Sequence, residues 1–521
     1  MKKLFSAKRN TDLLPLADVL LSLFDELTEA LLPSMQISPD AAEECWRAAL
    51  DQLPLPARNM LSDEAQLVWS LWKSQLGDGD PGAACFAQMM RLAEAADAPL
   101  VWIDASDVDP LQQAFLHAYA EKQSVWRITL DWHATAVGDA FAGAWPELLE
   151  EEGRDSFFAH AAGDVVTPPG LALYAAGSLE DEAQHGAQAV IDWLRSGKTS
   201  VAIIAQDRVV ARRIRALLER AQILVADETG WKLSTTRTAA AIAALLEVVA
   251  SRGETVALLD LLKSPFLCAH VPDKTARVME IEHALRRFNV LGGWKAAIAA
   301  LEKAPLAHEL LMQMAAQAGS FAGRKSLTEW GEVTGKALDA LGMRDALAAD
   351  AAGAQVVALL DMLAHDCAAM PHPFSFAEWR AFLSLQLEST PFVPAVSDRR
   401  VVMLQLNGAR LRSFDAVLMV GADADHLPSQ SNETLFFANA VRRELGLATR
   451  EMRQRMQLRD FTELLSASPQ VVLSWQSTRN GEQNPVSAWV ERLQLALERA
   501  GAQKLPMHRV EIAPQRLTPA M

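Results

Sequence analysis

Apolar and polar positions alternate along the chain in two regimes. Two short, fully apolar runs, Val401–Leu406 and Ala416–Val420, flank a polar loop, Asn407–Phe414, and are closed by Gly421 and Pro428. Runs this short, bounded by turn residues, predict parallel strands covered on both faces by helices. The loop would then leave the sheet at the strand ends, where open α/β sheets bind ligands. Similar runs predict strands at Leu100–Asp104, Val125–Leu130, Leu171–Ala175, Ser200–Ala205 and Val471–Trp475. Helical spacing covers most of the rest. Leu16, Leu20, Leu23, Leu27 and Leu31 form one face near the start, behind Pro15. Further helices are predicted at Pro110–Ala120, after Ser178, over Asp207–Ala221, over Thr449–Leu465 and in the stretch beginning Asn484-Pro485. Ser178 with Asp181 reads as a capping box. From Thr236 to about residue 395 the pattern is almost wholly helical. The succession around 171–221 is βαβα, which argues for a parallel sheet.

The chain of 521 residues is 50% hydrophobic, enough for several cores. Its formal net charge of -16 means that binding to phosphates would rest on local basic patches against a repelling global field. Cys45, Cys85, Cys268 and Cys367 stand singly, without a CxxC pair, so they read as buried thiols in a reducing cytoplasm rather than as disulfides or metal ligands. The start lacks an apolar core behind its basic residues, and no uncharged apolar stretch reaches about 18 residues, so secretion and membrane spanning are not expected. Gly197-Lys198-Thr199 imitates a phosphate loop, but it follows a helix and precedes a strand, and Asp192 stands where the first glycine is needed. Asp104 ends a strand as magnesium-binding aspartates do, and Asp423, Asp425 and His426 lie together, yet both are ordinary in α/β loops and no metal is assigned. Trp46, Trp69, Trp72 and Trp193 fall at helical spacings and read as core; Trp231, in a loop beside Gly230, is the stacking candidate.

The order of residues adds a resemblance. QLNGARLRSFDAVLMVGADADHLP, from Gln405, resembles the fifth motif of superfamily I DNA helicases, with Asn407 and Arg410 at its polar and basic positions. Gln405 replaces the usual hydroxyl residue and Leu411 the usual glycine. VAIIAQDRVVARRIRALLERAQILVADETG, from Val201, is similar to the fourth motif, which makes Gln206 and Arg208 remnants of a nucleotide site. Leu465 and Ser466 stand where active members carry a Thr-Arg pair. With GWKLSTTRTAAAIAALLE, LLKSPF and FSFAEWRAFL, the ordered set resembles the AddB-type subunit, the inactivated-helicase partner in bacterial double-strand-break repair nucleases.

That resemblance implies an α/β fold, a RecA-like parallel sheet domain interrupted by a large helical insertion, behind a mostly helical N-terminal region. It assigns 1–163 to that region with part of a first helicase-like domain. The second domain takes 170–252 and 396–505, the insertion 253–395 and a linker tail 506–521. It implies a further α/β portion before this segment and a nuclease domain after it, of which no PD-(D/E)xK signature is found in the chain. The implied function is non-catalytic DNA binding and scaffolding in a repair helicase-nuclease, with ATP and magnesium at an AddA-type motor subunit. Single-stranded DNA or a forked duplex end would meet Arg212, Trp231, Thr235, Thr236, Arg237, Asn407 and Arg410. The alternatives are an active ATP-dependent helicase and a scaffold that contacts protein alone.

Overall fold

The computed structural model describes residues 13–511 except 39, 52–54, 77–79, 105–106, 130–131, 133–134, 136, 152–164 and 430–435. The chain divides into two compact units: Val19–Thr229 with Ala395 onward, and Gly230–Pro394 with the residues up to Asp18.

The first unit is built on six parallel strands: β1 (Leu171–Ala176), β2 (Val201–Ala205), β3 (Ala226–Asp227), β4 (Val401–Leu404), β5 (Ala416–Val420) and β6 (Val471–Gln476). Their order across the sheet is β1-β6-β5-β2-β4-β3, all parallel. Both faces are covered, which is why β2, β4 and β5 are apolar throughout rather than alternating. On one face Val201, Ile203 and Ala205 of β2 join the core formed by α1 (Leu179–Arg195) and α2 (Arg208–Arg220). On the other, Ala202 and Ile204 join α3 (Arg450–Ala467) and α4 (Ala488–Arg499). The expected α/β class with a parallel sheet and large helical regions is present.

Several local expectations change. The run Val401–Leu406 stops pairing at Leu404, and Leu406–Ala409 forms a 3-10 turn closed by Gly408 N–H to Gln405 O at 3.0 Å. Only half of the capping box forms: Ser178 accepts from the Asp181 amide, but the Asp181 carboxylate turns to the Gly177 amide and the Tyr174 hydroxyl. The tail read as a linker starts out docked, because Met507 pairs with Leu173 of β1, accompanied by His508 N–H to Leu173 O at 2.7 Å. Helices Gly138–Ala144 and Glu147–Glu151, read as part of a separate domain, also belong to this unit. Trp145 donates to the Trp489 carbonyl, and Arg492 grips Glu147 at 2.7 Å. The boundary expected between residues 163 and 170 adjoins residues 152–164, which lie outside the described ones.

Leu20, Leu23, Leu27 and Leu31 are buried along the helix Leu14–Ile37, as their spacing requires. Leu100–Asp104 and Val125–Thr129 form a separate two-stranded parallel sheet, one face packed on Phe115, Leu116 and Tyr119. On its other face Val101, Ile103, Trp126 and Ile128 are exposed.

The second unit is helical with its own core. Helix Arg237–Ala250, assigned with the sheet on the sequence, packs here through Ile242, Leu245 and Leu246, in one cluster with Leu338, Val356, Leu360 and Trp379. The unit therefore begins at Gly230 rather than at residue 253.

Candidate functional site

The β2–β4 pair marks the place where the sheet's connections part. After β2 the chain enters α2 on one face; after β4 it turns to the other, where Ala409 and Phe414 join the core under α3. Between strand ends whose connections diverge, a crevice opens at the carboxyl edge. Here it is a cleft of about 430 Å³, lined by residues that include Gln206, Arg208, Gln405, Asn407, Arg410, Arg453 and Gln457.

Its second wall is one face of α3, where Arg453, Met456, Gln457 and Asp460 follow at i, i+3, i+4 and i+7. Arg208 is exposed and has no ion pair among the described residues. Arg453 keeps its Nε buried without an acceptor. Arg410 is different: it chelates Asp460, with Nη2 to Oδ2 at 2.9 Å and Nε to Oδ1 at 2.5 Å. Burial pushes the Asp460 carboxyl up, against the pull of Arg410. The same hydrogen bonds raise Arg410 further above its usual range. The cleft thus offers two unmatched guanidinium groups, several amides and one carboxylate already engaged. Its guanidinium and amide groups are equipped to hold an oxyanion.

The N-termini of α1 and α2 do not offer a phosphate seat. In α2 the Asp207 carboxylate takes the amides of Val209 and Val210 at 2.8 and 3.3 Å, itself only 4% exposed. Gly421 lets β5 close on this cap: at φ +76, any Cβ there would lie 2.5 Å from the Asp207 nitrogen. In α1 the first turn carries Glu180, Asp181 and Glu182. An anion would meet carboxylates at both places. The Gly197-Lys198-Thr199 triplet lies before β2, at the opposite edge, tied to Asp415 by the Thr199 and Ser200 amides and the Lys198 ammonium. Leu465 is buried, and the Ser466 hydroxyl donates to the Thr462 carbonyl.

Of the residues singled out on the sequence, the structure brings Gln206, Arg208, Asn407 and Arg410 into this one cleft. Arg212 is exposed one turn along α2 and is not part of the lining. Trp231, Thr235, Thr236 and Arg237 lie in the helical unit. There Trp231 is no free platform: it pairs with Phe392 across a two-residue ladder and packs edge-on against its ring at 5.4 Å. Thr236 is a buried helix cap accepting from Ala239, and Thr235 donates to the Lys232 carbonyl. Arg237 is exposed at the start of that helix. Arg410, expected to be a free cation, is held by Asp460. Arg453 was missed; its signal was the i, i+4, i+7 spacing with Gln457 and Asp460 on α3.

Asp104 accepts from Arg127 on the neighbouring strand at 2.8 and 3.2 Å. Asp423 takes the amides of Asp425 and His426 and bonds the His426 ring at 2.7 Å, which raises that imidazole. Among the described residues no three His, Cys, Asp or Glu side chains are grouped to hold a metal ion. No described helix is long and apolar enough to cross a membrane. Neither protein-family profiles nor curated protein sequences give a match to the chain.

Proposed function

We propose that the chain is a non-catalytic, helicase-like DNA-binding and scaffold component of a double-strand-break repair helicase-nuclease, as the AddB-type resemblance implies. The observation that carries the reading is the cleft between β2 and β4, where Arg208 and Arg453 stand without counter-ions among the described residues, beside a row of amides. Phosphodiesters of a single strand fit such a lining, because guanidinium groups replace condensed counter-ions and amides hydrogen-bond oxygen without reacting with it. The Asp207 cap of α2 and the acidic first turn of α1 support the non-hydrolytic half of the reading, since a triphosphate needs free N-terminal amides. ATP and magnesium would act on a separate motor subunit.

Titration of labelled single-stranded and duplex DNA with the whole chain at several salt concentrations tests this. The expected outcome is preference for the single strand and affinity falling steeply with salt, with no DNA-stimulated ATP turnover. Arg208→Ala and Arg453→Ala should each weaken binding and flatten the salt slope by about one counter-ion. Absence of binding at low salt, or wild-type slopes in both variants, would refute the cleft assignment.

A further inference from the structure

A second cavity of about 350 Å³ shares a wall with the cleft, and that wall is the Arg410–Asp460 ion pair. On α3 it is lined by Asp460, Glu463, Leu464 and Ala467, the same i, i+3, i+4, i+7 progression begun seven residues later, together with Ser466. Seven residues of helix advance about 10 Å. The two cavities are therefore stacked along one helix at a spacing that adjacent parts of a single extended ligand can span.

Their chemistry differs. In the cleft Arg208 and Arg453 have no ion pair among the described residues. In the second cavity both arginines are neutralised: Arg410 by Asp460, and Arg412 by Glu228 at 2.6 Å. Trp132, Leu411 and Leu464 supply apolar surface, and Glu463 adds a carboxylate held by Arg459 at 3.0 Å. An anion gains nothing there, whereas an uncharged flat group gains apolar burial and the face of a guanidinium. Arg412 already lies over the Phe414 ring, 5.2 Å from its centre. The volume sits at the small end of ligand cavities, which run from about 300 to 1,000 Å³.

Leu411 gives a further sign. It is 52% exposed at the wall of this cavity and adopts φ +55, a conformation that a leucine rarely takes. Exposed, strained apolar residues of this kind gather at ligand clamps.

We propose that the cavity bounded by Trp132, Leu411, Arg412 and Leu464 receives one unstacked nucleobase of a strand whose phosphates lie in the neighbouring cleft. This rests on the DNA-binding reading, and it adds to it a base-accepting subsite separated from the phosphate subsite by the Arg410–Asp460 pair. Such a subsite makes affinity depend on the presence of bases as well as of phosphates.

The test compares an oligothymidylate with an abasic oligomer of equal length and charge, at one salt concentration, on the wild-type chain and on Ala467→Leu. Ala467 is exposed at the end of α3, so leucine there fills the cavity from the rim without disturbing the core. The expected result is tighter binding of oligothymidylate by the wild type and about a tenfold loss in Ala467→Leu, with abasic binding unchanged. Equal affinity of the wild type for both oligomers, or no effect of Ala467→Leu on oligothymidylate, overturns the base subsite and leaves the phosphate cleft standing. A loss in Ala467→Leu that is equal for both oligomers also overturns it. Failure of both oligomers to bind the wild type overturns the cleft, and the subsite with it.

Discussion

Leu411 adopts φ +55, a left-handed turn that glycine favours and leucine rarely takes. For an L-residue this conformation costs roughly 1–2 kcal/mol. With half the side chain in solvent, burial offsets little of that cost. The turn is imposed by its neighbours, through Gly408 N–H to Gln405 O and Arg412 N–H to Ala409 O, and by the Arg412–Glu228 pair. Asparagine tolerates the left-handed region and leaves the unfolded chain less free than glycine does. Leu411→Asn is accordingly expected to stabilise by about 0.5–1 kcal/mol, and Leu411→Gly by less, since glycine returns part of the gain to the unfolded state. Urea unfolding with unchanged m-values measures both; a midpoint lowered in Leu411→Asn would show that the leucine's contacts outweigh the strain. The sequence displayed the departure from glycine but not the conformation, because φ depends on how the loop closes. Arg410 carries the same lesson. Its position at a strand end was readable, while its neutralisation by Asp460, fifty residues on, depended on the docking of a helix.

Strand and helix positions were largely legible because each apolar run ends in a turn residue or a cap. Asp207 and Thr449 cap α2 and α3 where the pattern places their starts. What an element's residue meets across the sheet was not legible. Glu182 lies in the first turn of α1, where a carboxylate ordinarily complements the helix dipole. In the fold it is fully buried, accepting from the Gly421 amide at 3.2 Å and the Ser474 hydroxyl at 2.8 Å, with its second oxygen unpartnered. Those partners come from the ends of β5 and β6, more than two hundred residues away. Desolvation, reinforced by Asp207 and Asp423, raises this carboxyl from 4.5 to about 7 despite both hydrogen bonds. Between those two values the folded chain holds a proton that the unfolded chain has released. Stability due to this group is therefore greatest below pH 4.5, falls as pH rises to about 7, and is level above it. The total amounts to roughly 3 kcal/mol. Denaturation of wild type and Glu182→Gln at pH 5 and pH 8 should show the difference between the two pH values shifting by that order in favour of pH 8 in the variant. Parallel pH profiles would mean that Glu182 stays ionised in the fold.

For the molecule as a whole, the decisive feature is that the Gly230–Pro394 segment of the helical unit begins and ends at one point. Trp231 and Phe392 are directly paired in antiparallel register, so residues more than 150 apart in sequence begin and end the unit side by side. An insertion with adjacent ends leaves its host sheet connected by a short path, which is why β3 and β4 remain neighbours across it. The sequence revealed this insertion as a loss of strand signals after Thr236, but placed its start at 253. Helix Arg237–Ala250 is rich in alanine and leucine on every side, and only its packing against Ala351–Asp366 and Phe376–Ser389 decides which unit it joins. The unit's core is contiguous, from Leu233 through Leu261, Ile281, Trp330 and Leu360 to Trp379 and Phe392, and it draws on no strand of the large sheet. Residues 230–394 expressed alone are therefore expected to fold, giving a helical circular dichroism spectrum and a single cooperative thermal transition. A non-cooperative melt, or a chain that folds only with the rest of the protein, would mean that this core is incomplete without its host. The helices would then be an elaboration of the sheet unit rather than a domain inserted into it.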